Sequence, residues 1–318
     1  MLRAAHGSRL RSDEPRGGSR GPDAGSPAAA EGRGITAMNV WAAPRHALRR
    51  KRDVSILIGC GLILSLIAIA GALAPWIVPN DPNQVDMMNK FAPASLQYPL
   101  GTDHLGRCTL SRLLMGIRTS LAISATVIVS TLFIGAIAGT ITALRGGWLD
   151  AVFMRICDIL LAFPTLVLAF ALLGIFGPGT ANLILALVLS QWVYYSRMVR
   201  SMVLKVKVRL YYQSARVAGT RRWALVWRHV LPGISAQLLV LATLEFGSVI
   251  LEVTGLSFLG LGVQAPTAEW GMMMNEARQH LRQHPELMWL PGLAVFAVVT
   301  CSNVLGEKLR DHFDPKER

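Results

Sequence analysis

Six long, mostly apolar runs with at most two charged residues each, at 54–78, 119–144, 156–176, 181–195, 233–256 and 287–306, leave little choice of fold. A bilayer's hydrocarbon core is about 30 Å thick, which about 20 helical residues cross at about 1.5 Å per residue. Inside lipid every backbone N–H and C=O needs a partner within the chain, so runs of this length read as helices. No strand-like alternation competes with them. The expected fold is therefore all-α, a polytopic membrane protein with six transmembrane helices, and the composition of 52% hydrophobic and 16% charged residues agrees.

Basic residues resist translocation, so their distribution sets the orientation. With the N-terminus inside, the cytoplasmic segments hold 26 of the 32 Lys and Arg residues and the outer segments hold 6. Both termini are thus expected in the cytoplasm. This bias accounts for the net charge of +13 without a nucleic-acid partner, although membrane lipid remains a natural partner for a basic tail. Residues 1–52 read as a disordered basic cytoplasmic tail, because 1–37 are rich in Gly, Arg, Ala, Ser and Pro and cannot bury a core. Met38 opens a more ordinary start and is the expected initiation site. Residues 53–306 form the membrane domain, with a cytoplasmic loop at 205–232, and 307–318 a second tail. The first run is followed by no convincing cleavage site, so it is expected to remain as an uncleaved anchor.

Local signals refine this outline. Residues 105–120 read as a helix feeding the second span. Gly135 and Gly139 permit close helix approach, with packing inside the chain as the expected use. Pro164 is expected to kink the third span. The cysteines at 60, 108, 157 and 301 form no CxxC pair and read as small packing residues.

The loop between the fourth and fifth runs, which includes "YYQSARVAGTRRWALVWRHVLPG", carries many arginines and no Asp or Glu. It is long for a connector. Its small residues Ser214, Ala215 and Ala218 would let a helix lie close in a groove of another protein. Gly219 allows a turn with positive φ, and Leu231-Pro232 opens the next span. "QSARVAG", nine residues, then "HVLP" resembles the coupling ("EAA") loop of ABC importer permeases, with Gln213 and Ser214 standing where Glu and Ala are usual. The likeness extends over about 54–315. "YPLGTDHLGRCTLSRLLMGIRTSL", with Cys108 at a usual Asp, and "SFLGLGVQAPTAEWGMMMNEAR" resemble the dipeptide, oligopeptide and nickel branch. "GTDHLGR" and "APTAEWG" are most similar to the second membrane subunit of nickel importers.

The resemblance implies an inner-membrane permease subunit that is not itself an enzyme. Its implied partners are a second permease subunit, two cytoplasmic ATPase subunits and an extracytoplasmic substrate-binding protein. Coupling would rest on Gln213, Ser214, Ala215, Gly219, Leu231 and Pro232. The chain has no G-x-x-x-x-G-K-[ST] phosphate loop, so no cofactor is expected on it and ATP-Mg is expected on the partner ATPases. The implied cargo is nickel ion or a nickel chelate. Two alternatives stand: a peptide importer of the same branch, and an ATP-independent secondary transporter that uses intramembrane carboxylates.

Those carboxylates are Glu245 and Glu252, two helical turns apart and on one face of the fifth span. An ionised group at membrane depth costs about 3 kcal/mol on insertion scales, so it faces a cavity or a partner. They are candidates for the translocation path. Asp158 is expected to pair with a nearby Arg. On the outer side Glu276, His280 and His284 would share one side of a helix and offer metal-capable donors, against a plain reading as a solvated outer helix. Met272–Met274 read as packing, and His104 and His229 as local hydrogen-bonding residues.

Overall fold

The computed structural model describes residues 43–313, with side chains from Ser55 onward. The expectations for the tail at 1–42, for Met38 and for 314–318 lie outside the described residues. The chain divides into units Met1–Lys51 and Arg52–Arg318, and the second carries the fold described here.

Among the described residues the structure is helical, with an isolated antiparallel bridge, Thr102–Cys108, and no strand. α1 (Ala43–Ile77) leads into the loop that the charge distribution assigns to the outer side, and outer and inner name the two ends of the bundle by that expectation; the loop holds a single 3-10 turn, Met87–Asn89, capped by Asp86. α2 (Thr109–Arg145) is one continuous helix of 37 residues. At about 55 Å it exceeds the hydrocarbon core, so the helix expected at 105–120 is its first turns rather than a separate element. α5 (Thr180–Lys207) packs along α2 where Gly135 and Gly139 face it. A Cβ on Gly135 would stand 2.7 Å from Tyr195 Cβ, and one on Gly139 would stand 2.4 Å from the Ser196 carbonyl oxygen. The GxxxG pair therefore serves packing within the chain.

The third apolar run is not a straight span. α3 (Gly147–Leu161) ends before Pro164, and α4 (Thr165–Phe176) leaves at 83° to it. Pro164 ends one helix and precedes the next, because its ring and missing N–H forbid continuing the hydrogen-bond ladder across it. The expected kink is thus a full break. α4 alone, at about 18 Å, is shorter than the hydrocarbon core.

After α6 (Leu210–Val217) and α7 (Arg222–Leu225) a π-turn, Val226–Val230, runs without interruption into α8 (Leu231–Phe258). The wide turn has a local cause. Pro232 can donate no hydrogen bond, and its ring would press on the carbonyl four residues earlier; widening the helix there relieves the clash. α9 (Trp270–Ala277) and α10 (Glu286–Phe313) complete the fold.

Among the described residues four helical stretches are long and apolar enough to cross a membrane: Ser55–Ile77, Thr109–Arg145, Arg222–Phe258 and Glu286–Phe313. The bent α3–α4 pair would make a fifth. α5 is long but more polar; it packs against α2, α3, α4 and α8 and leaves one stripe, with Leu185 and Leu189, exposed. Its Leu183, Leu187 and Val188 pack with Val127 of α2, Leu173 of α4 and Val253 of α8 to form the central core. A helix packed by neighbours on several sides can carry polar side chains there that a wholly lipid-facing one cannot.

Candidate functional site

The loop after α5 folds as a bracket with one anchored side. Tyr212 and Leu225 are buried against Val199, Val203, Val230 and Ile234, which fixes α6 and α7 to the inner end of the bundle. The opposite side of α6 stays open. Gln213, Ser214, Ala218 and Gly219 are exposed, Ala215 is half-buried and Val217 is 89% exposed. α6 ends in a Schellman motif: the Thr220 N–H donates to the Ala215 carbonyl and the Gly219 N–H to the Arg216 carbonyl. That motif needs a left-handed residue, and Gly219 has φ +79°. No neighbour lies within 4 Å of a Cβ built on Gly219, so the constraint there is conformational rather than steric. Leu231 and Pro232 open α8 as the sequence predicts. His229 packs its ring 6.1 Å from that of Tyr211.

Glu245 and Glu252 both turn toward α5. Tyr194 Oη donates to Glu245 Oε1 at 3.2 Å, and the Gln191 amide donates to Glu252 Oε2. Gln191 and Tyr194 are three residues apart on α5, as the two glutamates are seven apart on α8, so two polar rungs connect the helices. Both partners are neutral. Among the described residues neither carboxylate meets a Lys, Arg or His. The partners Gln191 and Tyr194 escape sequence reasoning because nothing local pairs them with residues more than 50 positions away. Asp158 does pair with an arginine, with Arg197 Nη1 3.1 Å away, and Asp150 forms a two-bonded pair with Arg200 at 2.6 and 2.5 Å. These pairs tie α3 to α5.

On the outer side the sequence-level picture of Glu276, His280 and His284 along one helix does not hold. α9 ends at Ala277, and a 3-10 turn carries Arg278–His280 away from its axis. Glu276 Oε2 instead accepts from Arg107 Nη2 at 2.8 Å and from Arg112 Nη2 at 3.1 Å. Asp103 Oδ2 accepts from Arg107 Nε at 2.6 Å, and Arg112 Nε lies 3.6 Å from it. Both guanidinium groups are buried. Arg112 also donates to the carbonyls of Pro82 and Pro266, so two opposed pairs of charges hold three segments together. His280 packs edge-on to Phe91 and stacks with His104, while His284 stacks on Phe91 at 4.0 Å and meets Glu286 Oε1 at 3.0 Å.

Among the described residues, the three whose donor atoms do cluster within 4.8 Å are Asp103, His104 and Glu276. Both of those carboxylates are already neutralised by Arg107 and Arg112, which makes the cluster an ion-pair clamp rather than a cation site. Burial lowers the His104 pKa, so its ring is neutral at neutral pH. Met273 is buried in the outer core, as expected for packing.

Glu269, fully buried, is a second feature that sequence reasoning missed. It caps α9 by accepting from the Met272 N–H at 2.8 Å and also accepts from Ser120 Oγ of α2 at 3.0 Å. Burial pushes its carboxyl above the ordinary range, against the pull of these hydrogen bonds. The signal was an acidic residue directly before a short helix, the N-cap pattern. The described cysteines are free, and Cys108, Cys157 and Cys301 are buried packing residues.

Known proteins place this arrangement. Residues 132–318 match the family model described as binding-protein-dependent transport system inner membrane component. The nickel transport system permease protein NikC of Escherichia coli (strain K12) is 41% identical over 254 residues, which is 80% of this chain and 92% of that protein. The metal-staphylopine import system permease protein CntC of Staphylococcus aureus (strain Mu50 / ATCC 700699) is 39% identical over 268 residues, 84% of this chain and 92% of the relative. The glutathione transport system permease protein GsiD of Pectobacterium atrosepticum is 38% identical over 275 residues, 86% and 91% of the two chains. The chain belongs to the family of inner-membrane components of binding-protein-dependent transport systems.

Proposed function

We propose that this chain is one permease half of an ATP-driven importer whose cargo is nickel ion or a nickel chelate. The observation that carries the cargo assignment is the pair Glu245 and Glu252, whose partners Tyr194 and Gln191 are neutral. Uncompensated carboxylates at membrane depth favour a passing cation and oppose an anion. Similarity to a nickel permease and to a metal-staphylopine permease supports the same reading.

In this proposal the membrane domain spans 53–306 with six crossings, counting the α3–α4 pair as one and α5 as another, and both termini lie in the cytoplasm. The basic tails at 1–52 and 307–318 lie on that side. The segment 205–232 docks on partner ATPases through Gln213, Ser214, Ala215 and Gly219, while Leu231 and Pro232 join it to α8. ATP-Mg binds to those partners. A second permease subunit completes the path, and an extracytoplasmic binding protein delivers cargo to the outer face. Because Arg222–Phe258 is one helical stretch, movement of the docked segment passes directly to the level of Glu245 and Glu252.

The test is reconstitution of the purified complex in liposomes. ATP-dependent nickel accumulation that needs the binding protein is the expected result. Accumulation by this chain alone without ATPase subunits would overturn the importer reading in favour of a secondary transporter. The likeness to a glutathione permease gives a second reading, uptake of a peptide. Glutathione is anionic at neutral pH, so Glu245→Gln would leave its uptake unchanged or raise it, whereas nickel uptake would fall.

A further inference from the structure

The segment that opens the Arg222–Phe258 stretch carries two large aromatic rings on its free side. Trp223 and Trp227 are 73% and 68% exposed, and their spacing of four puts them on one side of the helix. Leu225 and Val230 are buried on the other side, which fixes the rotation of the segment. Arg221, Arg222 and Arg228 are exposed beside the indoles. Among the described residues none of these guanidinium groups makes an ion pair or a side-chain hydrogen bond. The chain has no Asp or Glu between Asp158 and Glu245, so nothing nearby in sequence neutralises them.

Length places this face. The 37-residue stretch is about 55 Å long against about 30 Å of hydrocarbon, and its arginines are confined to its first turns, so those turns are the part that lies in the headgroup layer and the water beyond. The exposed residues Arg228, Pro232, Ser235 and Leu239 follow at three- and four-residue steps and carry the free side up toward the apolar part of α8. Tryptophan buries a ring while keeping its N–H wet, which suits it to the boundary between lipid and water. Arginine at the same depth meets the negative cytoplasmic leaflet.

We propose that Trp223, Trp227, Arg222 and Arg228 form a binding surface for anionic phospholipid headgroups of the cytoplasmic leaflet. Charge complementarity and the paired indoles select lipid over a protein groove, whereas the open ridge of α6, with its small side chains, is left for the ATPase. The inference rests on the cytoplasmic placement of 205–232 proposed above.

The experiment uses the complete purified transporter in nanodiscs of phosphatidylcholine with or without phosphatidylglycerol. Native mass spectrometry should show phosphatidylglycerol retained in preference to phosphatidylcholine. The preference should fall about fivefold for each arginine removed in Arg222→Gln/Arg228→Gln and persist in Arg222→Lys/Arg228→Lys. Brominated phosphatidylglycerol should quench a part of the fluorescence that Trp223→Phe/Trp227→Phe lacks. Equal retention of the two lipids, or a preference that the glutamine variant leaves intact, would overturn the proposal. So would amide exchange at 221–228 that slows on adding ATPase subunits but not on adding phosphatidylglycerol. ATPase co-purification, scored in the same preparations, separates the two ideas: its persistence without lipid preference sinks only the lipid surface, and its absence sinks the importer reading.

Discussion

The two ends of this bundle treat charge in opposite ways. At the outer end Asp103, Arg107, Arg112 and Glu276 satisfy one another in a buried cluster, and Glu269 is enclosed by α9 and Ser120. At the inner end Arg216, Arg221, Arg222 and Arg228 are exposed with no partner in the described chain. Buried charges must be paired or the structure suffers, so the outer end is complete in itself. Exposed charges beside bare apolar side chains such as Val217 and Trp223 mark a surface that meets something else. Between the ends stand Glu245 and Glu252, half-buried and held only by neutral donors. The gradient from closed to open is what the proposed function requires, with one end that keeps its own shape and one left open for partners.

The largest effect should come from the inner end. Gly219→Val forces a β-branched residue into φ +79°, at about 1–2 kcal/mol and with loss of the Schellman turn. Membrane insertion should persist while ATPase co-purification and uptake fall to background; wild-type uptake in this variant would break the assignment of 205–232. At the outer end Arg112→Ala should cost about 3–5 kcal/mol, because it leaves the largely buried carboxylates of Asp103 and Glu276 to share the single guanidinium of Arg107. Thermal unfolding of the purified complex would register it as a clear drop in Tm, and an unchanged Tm would mean that the outer end is not self-contained.

In the middle, Glu245→Gln keeps a hydrogen-bonding group for Tyr194 but removes the charge. A cation 4 Å from a carboxylate at an effective dielectric near 20 gains about 4 kcal/mol, so nickel uptake should fall about tenfold or more while assembly is kept. Unchanged uptake would make the glutamates structural. The smallest effect concerns Glu269. Its folded-state pKa is raised, so the folded protein binds the proton more tightly than the unfolded chain, and this residue's contribution to stability is present at low pH and lost as pH rises through its folded pKa. Glu269→Gln should flatten the fall in Tm over that range, and an identical pH profile would show that Glu269 does not carry the effect.

Much of this architecture was legible in the sequence because the bilayer enforces it. Apolar run length located the main helices, and Gly219 with Leu231-Pro232 located the inner bracket, since a left-handed residue and a helix-opening proline have few other uses. Three features needed the structure. Pro164 signals an interruption but not its angle, which depends on how α3 and α4 pack against α5. The run at 181–195 stops at the first charges, yet α5 continues to Lys207 because Arg197 and Arg200 find Asp158 and Asp150 on α3. The outer clamp was invisible because Arg107 and Glu276 are 169 residues apart, and helical spacing was extended past Ala277, where α9 has already ended.

One measurement tests the central claim most directly: uptake of radioactive nickel and of labelled glutathione, side by side, in cells with and without this chain and with its partner subunits present. Loss of nickel uptake alone, reproduced by Glu245→Gln, is the predicted result. Loss of glutathione uptake with nickel uptake intact would contradict it, and would leave Glu245 and Glu252 as structural rungs between α5 and α8.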